Sequence, residues 1–100
     1  MNYRPKAFTK NLDSAGTSAP ISTTDIKTRS VVIQARAGNA GTIYVGGADV
    51  DASHSVRLAP GDSVTIEAPG DPAAYISMSD VYFDGTNTND DIDVVYLEKM

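Results

Sequence analysis

The sequence predicts an all-β protein, a small antiparallel β-sandwich or barrel of the jelly-roll kind with an extended N-terminal arm. It shows short runs of alternating apolar and polar residues, turn-forming residues between them at intervals of about 8–12 residues, and no stretch with helical periodicity. With 100 residues there is room for one domain. We expect residues 30–100 to form the β-body and residues 1–29 to form a basic arm and linker outside its core.

The clearest strand lies at residues 63–68, where apolar residues alternate with Thr65 and Glu67. Runs at residues 31–36 and 42–45 predict two strands of a hairpin. A third run, ending at Leu58, leads into a second hairpin turn at residues 59–62, whose Pro and Gly suit the second and third positions of a tight turn.

Later runs predict a strand at residues 74–78 that continues through 81–83, an exposed polar loop at 84–91 and a last strand at 92–97, with a further turn at 69–72. The last strand carries both polar and apolar residues on its second face, which indicates an interface. The positions expected to face the core are Val31, Ile33, Ile43, Val45, Leu58, Val64, Ile66, Ile76, Val94 and Tyr96.

Charge is divided unevenly along the chain. Residues 1–36 hold six basic and two acidic residues, a net charge of +4, whereas residues 37–100 hold two basic and eleven acidic residues, a net charge of −9. Because opposite fields favour encounter and register, we expect the basic arm to dock on an acidic surface, either a neighbouring subunit or another protein. The alternative is that these residues are merely solvated.

The arm contains spaced aromatic residues among its basic ones, a composition typical of a tail that becomes ordered on a partner. We therefore expect it to be mobile in the isolated protein. The candidate partner-binding residues are Tyr3, Arg4, Lys6, Phe8 and Lys10.

The composition excludes several classes of protein. The chain has no Cys, so it has no disulfide, no thiolate zinc site and no cysteine nucleophile. A body of ~70 residues is only marginally stable alone, which favours a closed homo-oligomer. No apolar run reaches the about 20 residues of a membrane span, no signal peptide is recognisable, and the body is acidic. We expect synthesis in a cytoplasm and neither a membrane nor a nucleic-acid partner.

Three clusters invite a chemical interpretation, and none has a catalytic or ligand-binding motif. His54, the single histidine, follows Asp51 and Ser53 closely, but sequence neighbours rarely reach triad geometry and no nucleophile elbow is present. The acidic run at residues 90–93, with Asn87 and Asn89 before it, could offer oxygen ligands to a calcium ion, but it lacks the glycine and distal glutamate of an EF-hand loop, which favours a solvated loop. The glycine pair at residues 46–47 has no phosphate-loop pattern around it. We expect a non-enzymatic protein without cofactor or metal.

At residues 41–50, GTIYVGGADV, followed by residues 56–66, VRLAPGDSVTI, the sequence resembles small β-structured virion proteins of tailed bacteriophages. The resemblance spans about residues 30–98 and closes on the strand DVVYLE. It implies a virion location and a capsid decoration (cement) protein or head fibre that binds the major capsid protein or another virion protein. It also implies a trimer.

Two other functions stay open. The chain could serve the tail, baseplate or neck of the same kind of particle. It could also be a carbohydrate-binding β-module, for which Tyr44, Tyr75 and Tyr82 are the candidate aromatic anchors, although the chain has no Trp and no clustered aromatic triplet.

Overall fold

Antiparallel strands account for the fold. The structure, a computed structural model, describes residues 3–70 and 74–99. One turn of 3-10 helix lies at Met78–Asp80, and no α-helix occurs in these ranges. The strands in chain order are β1 (Tyr3–Asn11), β2 (Ala19–Pro20), β3 (Lys27–Thr28), β4 (Ser30–Ala35), β5 (Ile43–Gly46), β6 (Val56–Leu58), β7 (Ser63–Glu67), β8 (Ile76–Ser77), β9 (Tyr82–Gly85) and β10 (Asp91–Lys99).

The strands form two four-stranded sheets and one two-stranded ribbon. The first sheet has the order β1-β10-β4-β7, the second has the order β2-β9-β5-β6, and the ribbon pairs β3 with β8. When the two ribbon strands are left out, the remaining eight strands can be numbered 1 to 8 in chain order. The first sheet then has the order 1-8-3-6 and the second has the order 2-7-4-5. This is the strand order of a jelly-roll sandwich, so the predicted all-β class with antiparallel sheets is confirmed.

The core lies between the two sheets. Ile33 and Val94 of the first sheet and Ile43 and Phe83 of the second are fully buried and belong to one hydrophobic cluster. The alternating pattern places their strand neighbours on the outer faces. Seven of the ten predicted core residues are buried. The other three, Val64, Ile66 and Ile76, are partly buried and pack against the cluster from an edge strand and from the ribbon.

Both predicted hairpins are wrong. β4 and β5 lie in different sheets, and so do β6 and β7. β5 pairs with β6 and β9, whereas β4 pairs with β7 and β10. The turn at residues 59–62 forms as predicted, with Gly61 at a φ of +91°, but it carries the chain from one sheet to the other. Alternation identifies the side of a strand that faces the core, and either sheet satisfies that requirement.

The predicted strand through residues 74–83 is interrupted. β8 belongs to the ribbon, the 3-10 turn at Met78–Asp80 follows, and β9 belongs to the second sheet. Residues 71–73, which include half of the turn predicted at 69–72, lie outside the described residues. The polar loop predicted at 84–91 is exposed only at residues 86–89, because Asp84 and Asp90 are buried.

The prediction that residues 1–29 stay outside the core is wrong, because three of them are buried and four more pack against the core cluster, namely Phe8, Ala15, Ala19 and Ile26. Leu12, Ile21 and Thr28 are 1%, 0% and 2% exposed. Leu12 and Ile21 belong to the core cluster, whereas the buried Thr28 hydroxyl hydrogen-bonds to the backbone of Ser30 and Leu97. Each stands alone in a largely polar segment, so no apolar period marks it. β1 is extended, as predicted, but it pairs with β10 along its whole length.

Candidate functional site

β1 is an edge strand and carries all five candidate partner-binding residues. The backbone N–H of Leu12 donates to the Asp90 carbonyl at 2.8 Å. Because the direction of hydrogen bonding alternates along a strand, the even-numbered residues of β1 bond to β10. The odd-numbered residues turn their backbone groups away from β10, toward the end of the sheet, and these are Tyr3, Pro5, Ala7, Thr9 and Asn11.

Pro5 fits this geometry. Proline has no N–H, and it is tolerated on an edge strand where that group would face solvent. The outward orientation of Pro5 therefore explains how a proline can lie inside a nine-residue strand.

Two of the basic side chains contact the chain's own C-terminal strand. Arg4 Nη2 lies 2.6 Å from Glu98 Oε1, and Lys6 Nζ lies 3.3 Å from Glu98 Oε2. The hydrogen bond from Arg4, followed by that from Lys6, lowers the pKa of Glu98. Arg4 and Lys6 are exposed and Glu98 is partly exposed, so the pairs are screened by salt and contribute little stability. The basic residues were expected to contact an acidic surface of a partner, but Arg4 and Lys6 contact an acidic residue of the chain's own β10.

The other three candidates differ in their surroundings. Phe8 packs edge-on against Tyr96, with ring centroids 6.1 Å apart and an interplanar angle of 66°. Lys10 is half-buried opposite Ile92 and has no ion-pair partner in the described parts of the chain. Tyr3 is 39% exposed. Arg4, Lys6 and Phe8 are thus engaged within the chain, whereas Tyr3 and Lys10 remain available.

A row of small, mostly apolar side chains crosses the outer face of the first sheet. We call it the outer row. From one edge of the sheet to the other, the strand register aligns Ala7, Val95, Val32 and Thr65. Val95 is 40% exposed, Val32 is half-buried, and the two edge residues are exposed. The mixed second face predicted for the last strand therefore points to solvent.

A polar border follows the outer row on one side. The Thr9 hydroxyl donates to Asp93 Oδ1 at 2.7 Å, and Arg36 Nε donates to the same carboxylate at 3.2 Å. Apolar centres with hydrogen-bonded polar rims are typical of protein interfaces. The outer row and this border form the surface of the first sheet that is best suited to contact another protein.

The histidine cluster is a local turn. His54 Nδ1 lies 2.9 Å from Asp51 Oδ1, which also accepts the backbone N–H groups of Ser53 and His54. The hydrogen bond to Asp51 raises the pKa of His54, and the same bond lowers the pKa of Asp51. Ser53 contributes its backbone amide to this cluster, so the three residues form a capped turn on an exposed loop.

The acidic run at the start of β10 ties loops together. Asp90 accepts the backbone N–H groups of Ala40 and Gly41, both at 2.9 Å, and Asp91 accepts the side-chain amide of Asn11 at 2.8 Å. Protein donors thus occupy these carboxylates. Within the described ranges, no group of three or more His, Cys, Asp or Glu residues is placed to hold a metal ion.

The three candidate tyrosines do not form one site. Tyr44 and Tyr82 lie on the outer face of the second sheet, where Tyr44 pairs with Asp84 and Tyr82 with Gly46. Tyr75 lies elsewhere, 54% exposed, with Lys27 Nζ 5.0 Å from its ring centroid. Two of the three could contact a common ligand.

Sequence reasoning missed the outer row as a unit. The alternation within β10 marks Val95 as lying opposite the core face, but the sequence does not give the register that sets Ala7, Val32 and Thr65 beside it. Comparison with protein-family models, curated proteins and solved structures found no match. None of the described residues belongs to a helix long and apolar enough to cross a membrane.

Proposed function

We propose that this chain is a non-enzymatic structural protein of a bacteriophage particle, a capsid decoration (cement) protein that binds the outer head surface and stabilises it. The outer row with its polar border is the observation that carries this function, since it has the composition of an interface centre and rim. A small domain without disulfides gains stability when such a face is buried on a larger assembly.

The sequence resemblance supports the same role. Residues 41–47, GTIYVGG, form β5 and the turn after it. Residues 58–63, LAPGDS, form the connection between β6 and β7. Jelly-roll sandwiches occur in viral capsid proteins, and also in lectins and cupins, so the fold alone does not decide. Structural contacts account for His54 and for the acidic run, which favours a binding role over catalysis.

Electron cryomicroscopy of particles with and without the chain tests this role. We expect density on the outer head surface, and heads that release DNA at a lower temperature when the chain is missing. Density on the tail, baseplate or neck would instead assign the accessory structural role there. Purified particles that lack the protein altogether would refute a virion role.

A matched pair of variants tests the surface. Val95→Asp places a charge in the outer row and should lower occupancy on particles at least about tenfold, because a buried unpaired charge is costly. Val56→Asp places the same charge at another exposed valine, 51% exposed on the second sheet, and should leave occupancy unchanged. Equal occupancy of the two variants, with both folded, would show that the outer row is not the contact surface.

Carbohydrate binding is the second candidate, favoured by Tyr44 and Tyr82 on one outer face. Half-buried tyrosines can stack on sugar rings while their hydroxyls bond to polar groups. Calorimetric titration with bacterial surface glycans tests it. Heat of binding that disappears in Tyr44→Ala would support this function, and no heat from the wild-type protein would remove it.

A further inference from the structure

Among the described residues, the first sheet ends in a free edge on each side. On β1 the outward backbone groups belong to its odd-numbered residues, as described above. On β7 the Asp62 carbonyl accepts the Ala35 N–H at 2.9 Å, and the Ala68 N–H donates to the Arg29 carbonyl at 2.9 Å. Even-numbered residues of this segment therefore face β4. The groups that face away belong to Ser63, Thr65 and Glu67, all exposed residues.

The second sheet offers no comparable edge. Its edge strands are Ala19–Pro20, which is two residues long and includes a proline, and Val56–Leu58, which is three residues long. Short strands and proline are ordinary means of protecting an edge from pairing. β1 and β7 are the two sheet edges with five or more residues in the described part of the chain.

The two free edges carry opposite charge. β1 contains Arg4, Lys6 and Lys10 and no acidic residue, whereas β7 and the turn before it contain Asp62 and Glu67 and no basic residue. The basic residues of β1 lie on the core side of the sheet and Glu67 lies on its outer side, so they do not meet as cross-strand pairs. Opposite overall charge still favours the encounter of two edges, and like charge opposes it. Pairing two β1 strands or two β7 strands is therefore disfavoured, and pairing β1 with β7 is favoured.

The usable lengths also match. Pro5 removes one outward donor, which leaves the stretch from Ala7 to Asn11 as the continuous part of the β1 edge. That stretch is five residues long, like β7 itself. The outer row begins on the first of these edges, at Ala7, and ends on the second, at Thr65.

We propose that the free edge of β1 in one copy of the chain pairs with the free edge of β7 in a second copy, so that the first sheet continues from copy to copy. The contact joins two different surfaces, so each copy can engage a neighbour on both sides. It is an instance of β-strand addition, in which backbone hydrogen bonds give affinity. Here the opposite charge of the two edges selects the partner. This pairing does not depend on the proposed virion role.

Two proline variants test the contact without assuming its register. Ala7→Pro removes an outward N–H from β1, and Thr65→Pro removes one from β7, while the bonds within the sheet remain. The valine variants Ala7→Val and Thr65→Val keep the N–H groups and serve as controls. Masses are measured by light scattering at low salt, with circular dichroism to confirm folding.

The wild-type protein and the valine controls should form assemblies larger than a dimer. Each proline variant alone should have the 10.5 kDa mass of one protomer. An equimolar mixture of the two variants restores one intact junction per pair and should give a dimer. A monomeric wild-type protein, a proline variant that assembles normally, or a mixture of folded variants that stays monomeric would each overturn the proposal.

Hydrogen exchange on the wild-type protein covers the case in which a proline variant does not fold. The amides of Thr9 and Thr65 should exchange at least about tenfold more slowly in the low-salt assembly than in the high-salt monomer, because exposed charge pairs are screened by salt. Rapid exchange of both amides in the assembly would overturn the proposal.

Discussion

Leu12→Ala tests whether the N-terminal segment is part of the core. Leu12 is 1% exposed and lies against β9, where Gly85 leaves the space that it occupies: a Cβ on that glycine would be 3.0 Å from Leu12 Cδ2 and 3.2 Å from Ile43 Cδ1. Removal of the isobutyl group leaves a cavity in packed surroundings, which costs about 2–5 kcal/mol of unfolding free energy. That is a large share of the roughly 5–15 kcal/mol that stabilises a typical domain.

The measurement is urea unfolding followed by far-ultraviolet circular dichroism, which does not need a tryptophan. Val95→Ala is the control, because Val95 is 40% exposed and its truncation should cost less than about 1 kcal/mol. At about 4–8 °C per kcal/mol for a domain of this size, the midpoint of thermal unfolding should fall by roughly 10 °C or more in Leu12→Ala. A loss below about 0.5 kcal/mol, or one no larger than the control's, would show that residues before β2 lie outside the cooperative core.

Three further changes probe other parts of the molecule. Ile66→Ala should lower the free energy of unfolding by about 1–2 kcal/mol, which is less than for a fully buried isoleucine, because Ile66 is only partly buried on an edge strand. Urea unfolding measures this change, and a loss below about 0.5 kcal/mol would mean that the Ile66 side chain does not face the core. Asp90→Ala leaves the amides of Ala40 and Gly41 without their acceptor and should cost about 1–3 kcal/mol, with faster exchange of both amides by NMR. Arg4 lowers the pKa of Glu98, so the stabilisation from this pair is present above the unfolded-state pKa and is lost as pH falls through the folded-state pKa. Arg4→Gln should move the Glu98 titration, followed by NMR, toward its ordinary value, and an unchanged titration would contradict the contact.

The alternation of apolar and polar residues correctly predicted which side of a strand faces the core, because that property depends on one strand alone. The alternation in residues 63–68 placed Val64 and Ile66 inward, and the structure shows both packing on the core. Strand partners depend on the whole chain. The segments on both sides of Gly61 therefore predicted a hairpin, although the chain crosses between sheets there.

The candidate site was predicted in part for the same reason. The charge division indicated that a basic segment meets an acidic surface, and Arg4 and Lys6 do contact Glu98, but within one chain. The net charge of a segment does not show which charged residues lie close together in the fold. The sequence could therefore not distinguish an ion pair within one chain from an ion pair with a partner. Leu12 and Ile21 were missed because an isolated apolar residue has no period to reveal it.

The position of β10 between β1 and β4 has a consequence for folding during synthesis. β10 is synthesised after the other strands of this sheet, yet it occupies a central place in it. Until then β1 has no partner, and β4 can pair only with β7. Contacts between distant parts of a chain form slowly, because the loop between them must close, at a cost in conformational entropy, before the contacts stabilise the fold. The first sheet should therefore be completed only after β10 has been synthesised, and a chain truncated before residue 91 should expose the inner edge of β4 and aggregate.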